Sequence, residues 1–79
     1  MGTETTGDKE NAAIAAVLLK RKEALGVSFE ALAESTGFGL RTVKRYLHDE
    51  RLLRVRDVRI LANALDLSIV EVLNQAEIS

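Results

Sequence analysis

Apolar residues recur along this chain at spacings of three and four, the period at which side chains share one face of a helix. The first such stretch predicts a helix from Asp8, a cap residue, to Leu25, with Ile14, Val17, Leu18 and Leu25 as its buried stripe. Gly26 followed by Val27 is a stop signal. A second helix opens at Ser28, whose hydroxyl can accept a first-turn N–H. It carries Leu32 and Ala33 inward and ends at Gly37, with Phe38 placed to pack back on the helix just finished. Gly39 caps a third, Leu40 to His48, in which Val43 and Leu47 share a face. A polar connection from Asp49 to about Arg54, without Gly or Pro, leads to a fourth helix from about Val55 to Leu65. Its expected inner face is Val55, Val58, Leu61, Ala62 and Leu65. After Asp66 and Leu67, Ser68 opens a fifth helix, and Ser68-x-x-Glu71 is a capping-box pattern. Ile69, Val72 and Leu73 continue the stripe, whereas Val70 lies off it. Residues 1–7 are small and polar, without periodicity, and read as a flexible tail; residues 8–79 read as one domain.

Composition supports an all-α fold with an aliphatic core. Hydrophobic residues make up 47% of the 79 positions but aromatics only 4%, and there is no Pro. A chain of this length can bury a small core sufficient for a compact helical fold. The absence of Cys excludes a disulfide framework and a thiolate metal site, and it suits a reducing compartment. No apolar run approaches the roughly 20 residues that span a bilayer, and no secretory signal leads the chain, so a cytoplasmic location is expected.

The net charge of −1 hides a segregated distribution. Residues 39–60 hold seven Lys and Arg (Arg41, Lys44, Arg45, Arg51, Arg54, Arg56 and Arg59) against three acids, whereas residues 61–79 hold Asp66, Glu71 and Glu77 and no cation. A polyanion responds to this local field rather than to the total. On the third helix, Arg41, Lys44, Arg45 and His48 lie opposite Val43 and Leu47. A short helix with an apolar back and a cationic front, following a tight turn, suggests a helix-turn-helix whose second helix enters the DNA major groove.

Leu25-Gly26-Val27-Ser28, Ala31-Leu32-Ala33, Gly37-Phe38, Arg41-Thr42-Val43, Tyr46-Leu47 and the run Leu61-Ala62-Asn63-Ala64-Leu65 together resemble the Cro/lambda-repressor class of helix-turn-helix domains, the XRE family, over roughly residues 11–76. The resemblance implies a five-helix DNA-binding domain, usually dimeric, of the kind found in phage repressors, bacterial regulators and some antitoxins. It implies base reading by Leu40, Arg41, Lys44 and Arg45, which agrees with the bidentate match of Arg to guanine O6 and N7. Leu40 would touch a thymine methyl or simply fill space. Thr42 and His48 match phosphate-contacting positions, Ser28 brings a helix N-terminus to a phosphate, and Arg51 and Arg54 are natural backbone contacts. Lys20, Arg21 and Lys22 read equally as a solvated helix end, favoured by the helix dipole, or as further backbone contacts. The chain departs from the family pattern at Phe29, where Gln commonly bridges phosphate and recognition helix. A phenyl ring cannot make that bridge, so it is absent or rebuilt from Arg41 or Arg45, with Phe29 packed at the DNA-facing rim or against a protein.

The partner implied is a pseudo-palindromic double-stranded operator bound by a homodimer, with Val70, Leu73 and Ile78 as the candidate interface; alternatively, Leu73 only closes the monomer core. An antitoxin of the same fold and a protein-interaction module without DNA affinity are the competing readings. Tyr46 is expected as an amphipathic edge residue with a packed ring and a wet hydroxyl. His48-Asp49-Glu50 lacks a nucleophile and a catalytic scaffold, so enzymatic activity is not expected, nor is a cofactor, a metal site or a small-molecule ligand.

Overall fold

The computed structural model describes residues 8–77. Over these the chain is all-α: α1 (Asp8–Leu25), α2 (Phe29–Thr36), α3 (Leu40–Leu47), α4 (Val55–Ala64) and α5 (Ile69–Gln75), with no strand among the described residues. The expected tail, residues 1–7, and Ile78 lie outside this range.

Where a helix boundary has chemical punctuation, it falls where the sequence places it. Ser28 Oγ accepts the Ala31 N–H at 3.0 Å, and Gly37 closes α2 in the left-handed region at φ 82° with its N–H on the Ala33 carbonyl. At α5, Ser68 Oγ accepts the Glu71 N–H while the Glu71 carboxylate accepts the Ser68 N–H, the reciprocal pair of a capping box. These bonds hold the Glu71 carboxyl below the usual glutamate range. Two other boundaries use Asp as the turning residue. Asp49, at φ 59°, ends the turn after α3, and Asp66, at φ 60°, ends the turn after α4. Short polar side chains tolerate this left-handed backbone better than most L-residues. His48 and Leu65, expected inside helices α3 and α4, are instead their C-caps.

The core is built from Ile14, Ala15 and Leu18 of α1, Leu32 and Ala33 of α2, Val43, Tyr46 and Leu47 of α3, Leu53, then Val58, Leu61 and Ala62 of α4, with Leu65, Leu67 and Val72. Helix α1 packs on α3, α4 and α5, and α2 packs on α3 and α4, whereas α5 meets only α1 and α4. Two residues expected inside are exposed, and Val17 is only half-buried. Leu25 falls on the predicted stripe, but as the last residue of α1 it is 45% exposed. Val55 is 43% exposed because Leu53, two residues earlier, takes the place at the start of α4 and is fully enclosed.

Leu53 is held by an unexpected partner. Asn11 sits on the α1 stripe with Ile14, Ala15 and Leu18, and only 1% of it is exposed. Its Oδ1 accepts the Leu53 N–H at 2.6 Å, and its Nδ2 donates to Asp49 Oδ1 and to the Arg51 carbonyl. A buried amide is tolerated when its hydrogen-bonding groups find partners, and here those partners fix the connection between α3 and α4 onto α1. Arg21, farther along α1, performs a similar service for α4: its Nε donates to the Leu65 carbonyl at 2.9 Å, its Nη2 to the Asp66 carbonyl at 3.5 Å, and it pairs with the Asp66 carboxylate at 3.9 Å. Arg21 thus caps the C-terminal end of α4, while Lys20 stays exposed.

Candidate nucleic-acid interface

Helix α3 is anchored from behind. Val43 and Leu47 are buried, as the stripe predicts, and Tyr46 joins them at 4% exposure. The Tyr46 hydroxyl is not wet: it donates to Asp57 Oδ2 at 2.7 Å across to the first turn of α4. Phe38, in the turn, packs edge-on against the Tyr46 ring at 5.7 Å, and Arg51 lies over that ring at 5.5 Å. Phe38 therefore braces the helix that follows the turn as well as the core.

Burial and the bond to Asp57 raise the Tyr46 pKa above its ordinary value near 10, against the opposing effect of Arg51 and Arg54. The folded state therefore holds the phenolic proton more tightly than the unfolded chain. That contribution to stability is complete below about pH 10 and is lost as pH rises through the raised value. Tyr46→Phe is expected to remove about 1–3 kcal/mol of stability at neutral pH and to flatten the decline above pH 10. Urea melts at several pH values check both; an unchanged alkaline decline in the variant would discard this account of Tyr46.

With its back fixed, α3 turns Leu40, Arg41, Lys44 and Arg45 to solvent, with His48 exposed at its cap. Among the described residues none of Arg41, Lys44 and Arg45 pairs with a carboxylate, and the ion pair is that of Arg21 with Asp66. Thr42 is half-buried. Ser28 is exposed, but its oxygen is committed to the α2 cap, which leaves its hydroxyl hydrogen to donate elsewhere. Arg51 and Arg54 are exposed on the connection that Asn11 holds, with Arg54 the N-cap residue of α4, and Arg56 and Arg59 extend the exposed cations along that helix. Phe29 is half-buried beside Lys22, Lys44 and His48. Val70 is 62% exposed, while Leu73 is half-buried against the core.

Besides the Tyr46–Asp57 bond, Asn11 and the meeting of Lys22 with Phe29 escaped sequence reasoning. Asn11 left one trace, a polar residue three, four and seven positions before Ile14, Ala15 and Leu18 on the buried stripe. The meeting of Lys22 with Phe29 has no periodic signature, because it crosses from α1 to α2. No group of three His, Cys, Asp or Glu among the described residues could hold a metal ion, and no described helix is long and apolar enough to cross a membrane.

A turn between two short helices, the second buried behind and cationic in front, is the arrangement of a helix-turn-helix DNA-binding domain. The sequence model of the helix-turn-helix domain family matches residues 13–74, and the chain belongs to that family. Comparison with curated proteins and with solved structures gives no match.

Proposed function

We propose that this protein is a sequence-specific regulator of transcription of the Cro/lambda-repressor (XRE) type, acting as a repressor in a bacterial or phage-infected cytoplasm. The observation that carries the reading is the row of Leu40, Arg41, Lys44 and Arg45 on a helix whose opposite side is locked into the core. That helix enters the major groove and reads base edges. Ser28, Thr42, His48, Arg51 and Arg54, with Lys20 and Lys22 on α1, serve the flanking phosphates. These contacts fix register without reading sequence. One helix reads too few base pairs for genomic specificity, so two copies bind a pseudo-palindrome, with α5 and its exposed Val70 as the surface through which they meet.

Selection of bound duplexes from random sequence tests this directly. The expected outcome is a dyad-symmetric sequence with half-sites about 34 Å apart. Affinity should fall steeply between about 50 and 200 mM salt as counterions are released. A pool that never converges, together with affinity indifferent to salt, would refute the DNA reading and favour a protein-interaction module. A second chain that co-purifies while DNA binding persists would favour the antitoxin.

A further inference from the structure

Two helices bring cationic side chains to the ring of Phe29, the first residue of α2. Lys22 Nζ, from α1, lies 4.1 Å from the ring centroid, and Lys44 Nζ, from α3, lies 5.9 Å from it. Both fall within the roughly 6 Å over which a ring face attracts a cation. The imidazole of His48 meets the same ring edge-on at 5.4 Å. Neither lysine pairs with a carboxylate among the described residues. The two distances put the ammonium groups at most 10 Å apart; like charges at that range repel, and an anion that meets both relieves the repulsion. Holding both stems also removes rotamer freedom that a lysine otherwise loses on binding.

We propose that Phe29 is a positioning residue for DNA binding, its ring holding Lys22 and Lys44 as a two-armed clamp on one backbone phosphate beside the base-reading face. The proposal rests on the DNA reading above and refines it. The clamp comes from Lys22 and Lys44 rather than from Arg41 or Arg45, and Lys44 moves from base edge to backbone. Sequence is then read by Leu40, Arg41 and Arg45. Lys44 shares the exposed side of α3 with both arginines, so an anion it meets belongs to the same polyanion.

The test is a double-mutant cycle on the selected duplex, joined to side-chain NMR of the free protein. Phe29→Leu keeps an apolar side chain without a π face, Phe29→Met is a second such variant, and Phe29→Tyr restores the ring. Phe29→Leu and Phe29→Met are expected to weaken binding about two- to fivefold with sequence preference unchanged, while Phe29→Tyr binds like the original. In a background carrying Lys22→Gln and Lys44→Gln, Phe29→Leu should have no further effect. In the free protein, the Lys22 methylene protons should resonate upfield with Phe29 or Tyr and return to ordinary positions with Leu or Met. Ordinary Lys22 shifts in the unmutated protein overturn the proposal, as do additive losses in the cycle or an altered preference in Phe29→Leu. A protein that binds no duplex at all overturns the DNA reading and the clamp with it, whereas normal binding with an additive cycle overturns the clamp alone.

Discussion

Leu53→Ala is expected to lower the unfolding free energy by about 2–5 kcal/mol, the range for a fully buried leucine cut to alanine. For a chain of this length, stability near 0.05–0.15 kcal/mol per residue amounts to about 4–12 kcal/mol. The loss is therefore a large share of the whole, and the melting temperature should drop by about 10 °C or more. The effect is large because Leu53 has no exposed surface although it lies between helices, so its removal leaves a void that the short connection between α3 and α4, pinned by Asn11, cannot easily fill. Leu52→Ala is the control. That neighbour is 47% exposed, and its truncation should stay within about 0.5 kcal/mol. Thermal and urea melts of the two variants decide the matter, and equal effects would mean that the connection is not anchored as described. Because the same connection carries Arg51 and Arg54, DNA binding by Leu53→Ala should fall with the folded fraction.

The second large effect concerns Arg41 and Arg45. Each replaced by Ala should lose about 1–3 kcal/mol on the selected duplex and relax the preference at particular base pairs. Neither side chain is engaged by a carboxylate among the described residues, and both are exposed, so folding should be untouched. Arg54→Ala, on the backbone side, should weaken every sequence alike and reduce the salt slope by about one. Binding isotherms on the selected duplex and on single-base variants separate the two patterns. If Arg41→Ala and Arg45→Ala change all sequences equally, α3 is not the element that reads bases.

The five helices were legible because their stripes repeat locally and most of their ends carry a residue with one evident task. Ser28, Gly37 and the Ser68–Glu71 pair act within four residues of themselves, which is the range that periodicity and capping rules cover. The exposed face of α3 was legible for the same reason, since Arg41, Lys44 and Arg45 oppose Val43 and Leu47 on one short rod. What was not legible depends on partners far away in the chain. Leu53 stands in Arg51-Leu52-Leu53-Arg54, where one leucine looks like the other, and only Asn11 some forty positions earlier shows which turns inward. Tyr46 was read as half-wet because nothing local reveals Asp57 on the next helix as its acceptor. Leu25 was read as buried because a stripe gives direction but not whether a neighbour covers the last residue of the helix. Asp49 and Asp66 ended turns where no glycine signalled one.

The contact pattern that leaves α5 against α1 and α4 alone has an electrical consequence. Asp66, Glu71 and Glu77, all exposed, lie on or beside α5, whereas Arg41, Lys44 and Arg45 are exposed on α3, which α5 does not meet. Those three acids and the α3 cations thus sit on parts of the fold that do not meet, in a chain whose net charge is only −1. On the proposed function, the field of a duplex would pull on the α3 cations before contact and favour approaches in which α3 leads. A nearly neutral protein can in this way arrive already oriented, so that fewer of its collisions are wasted.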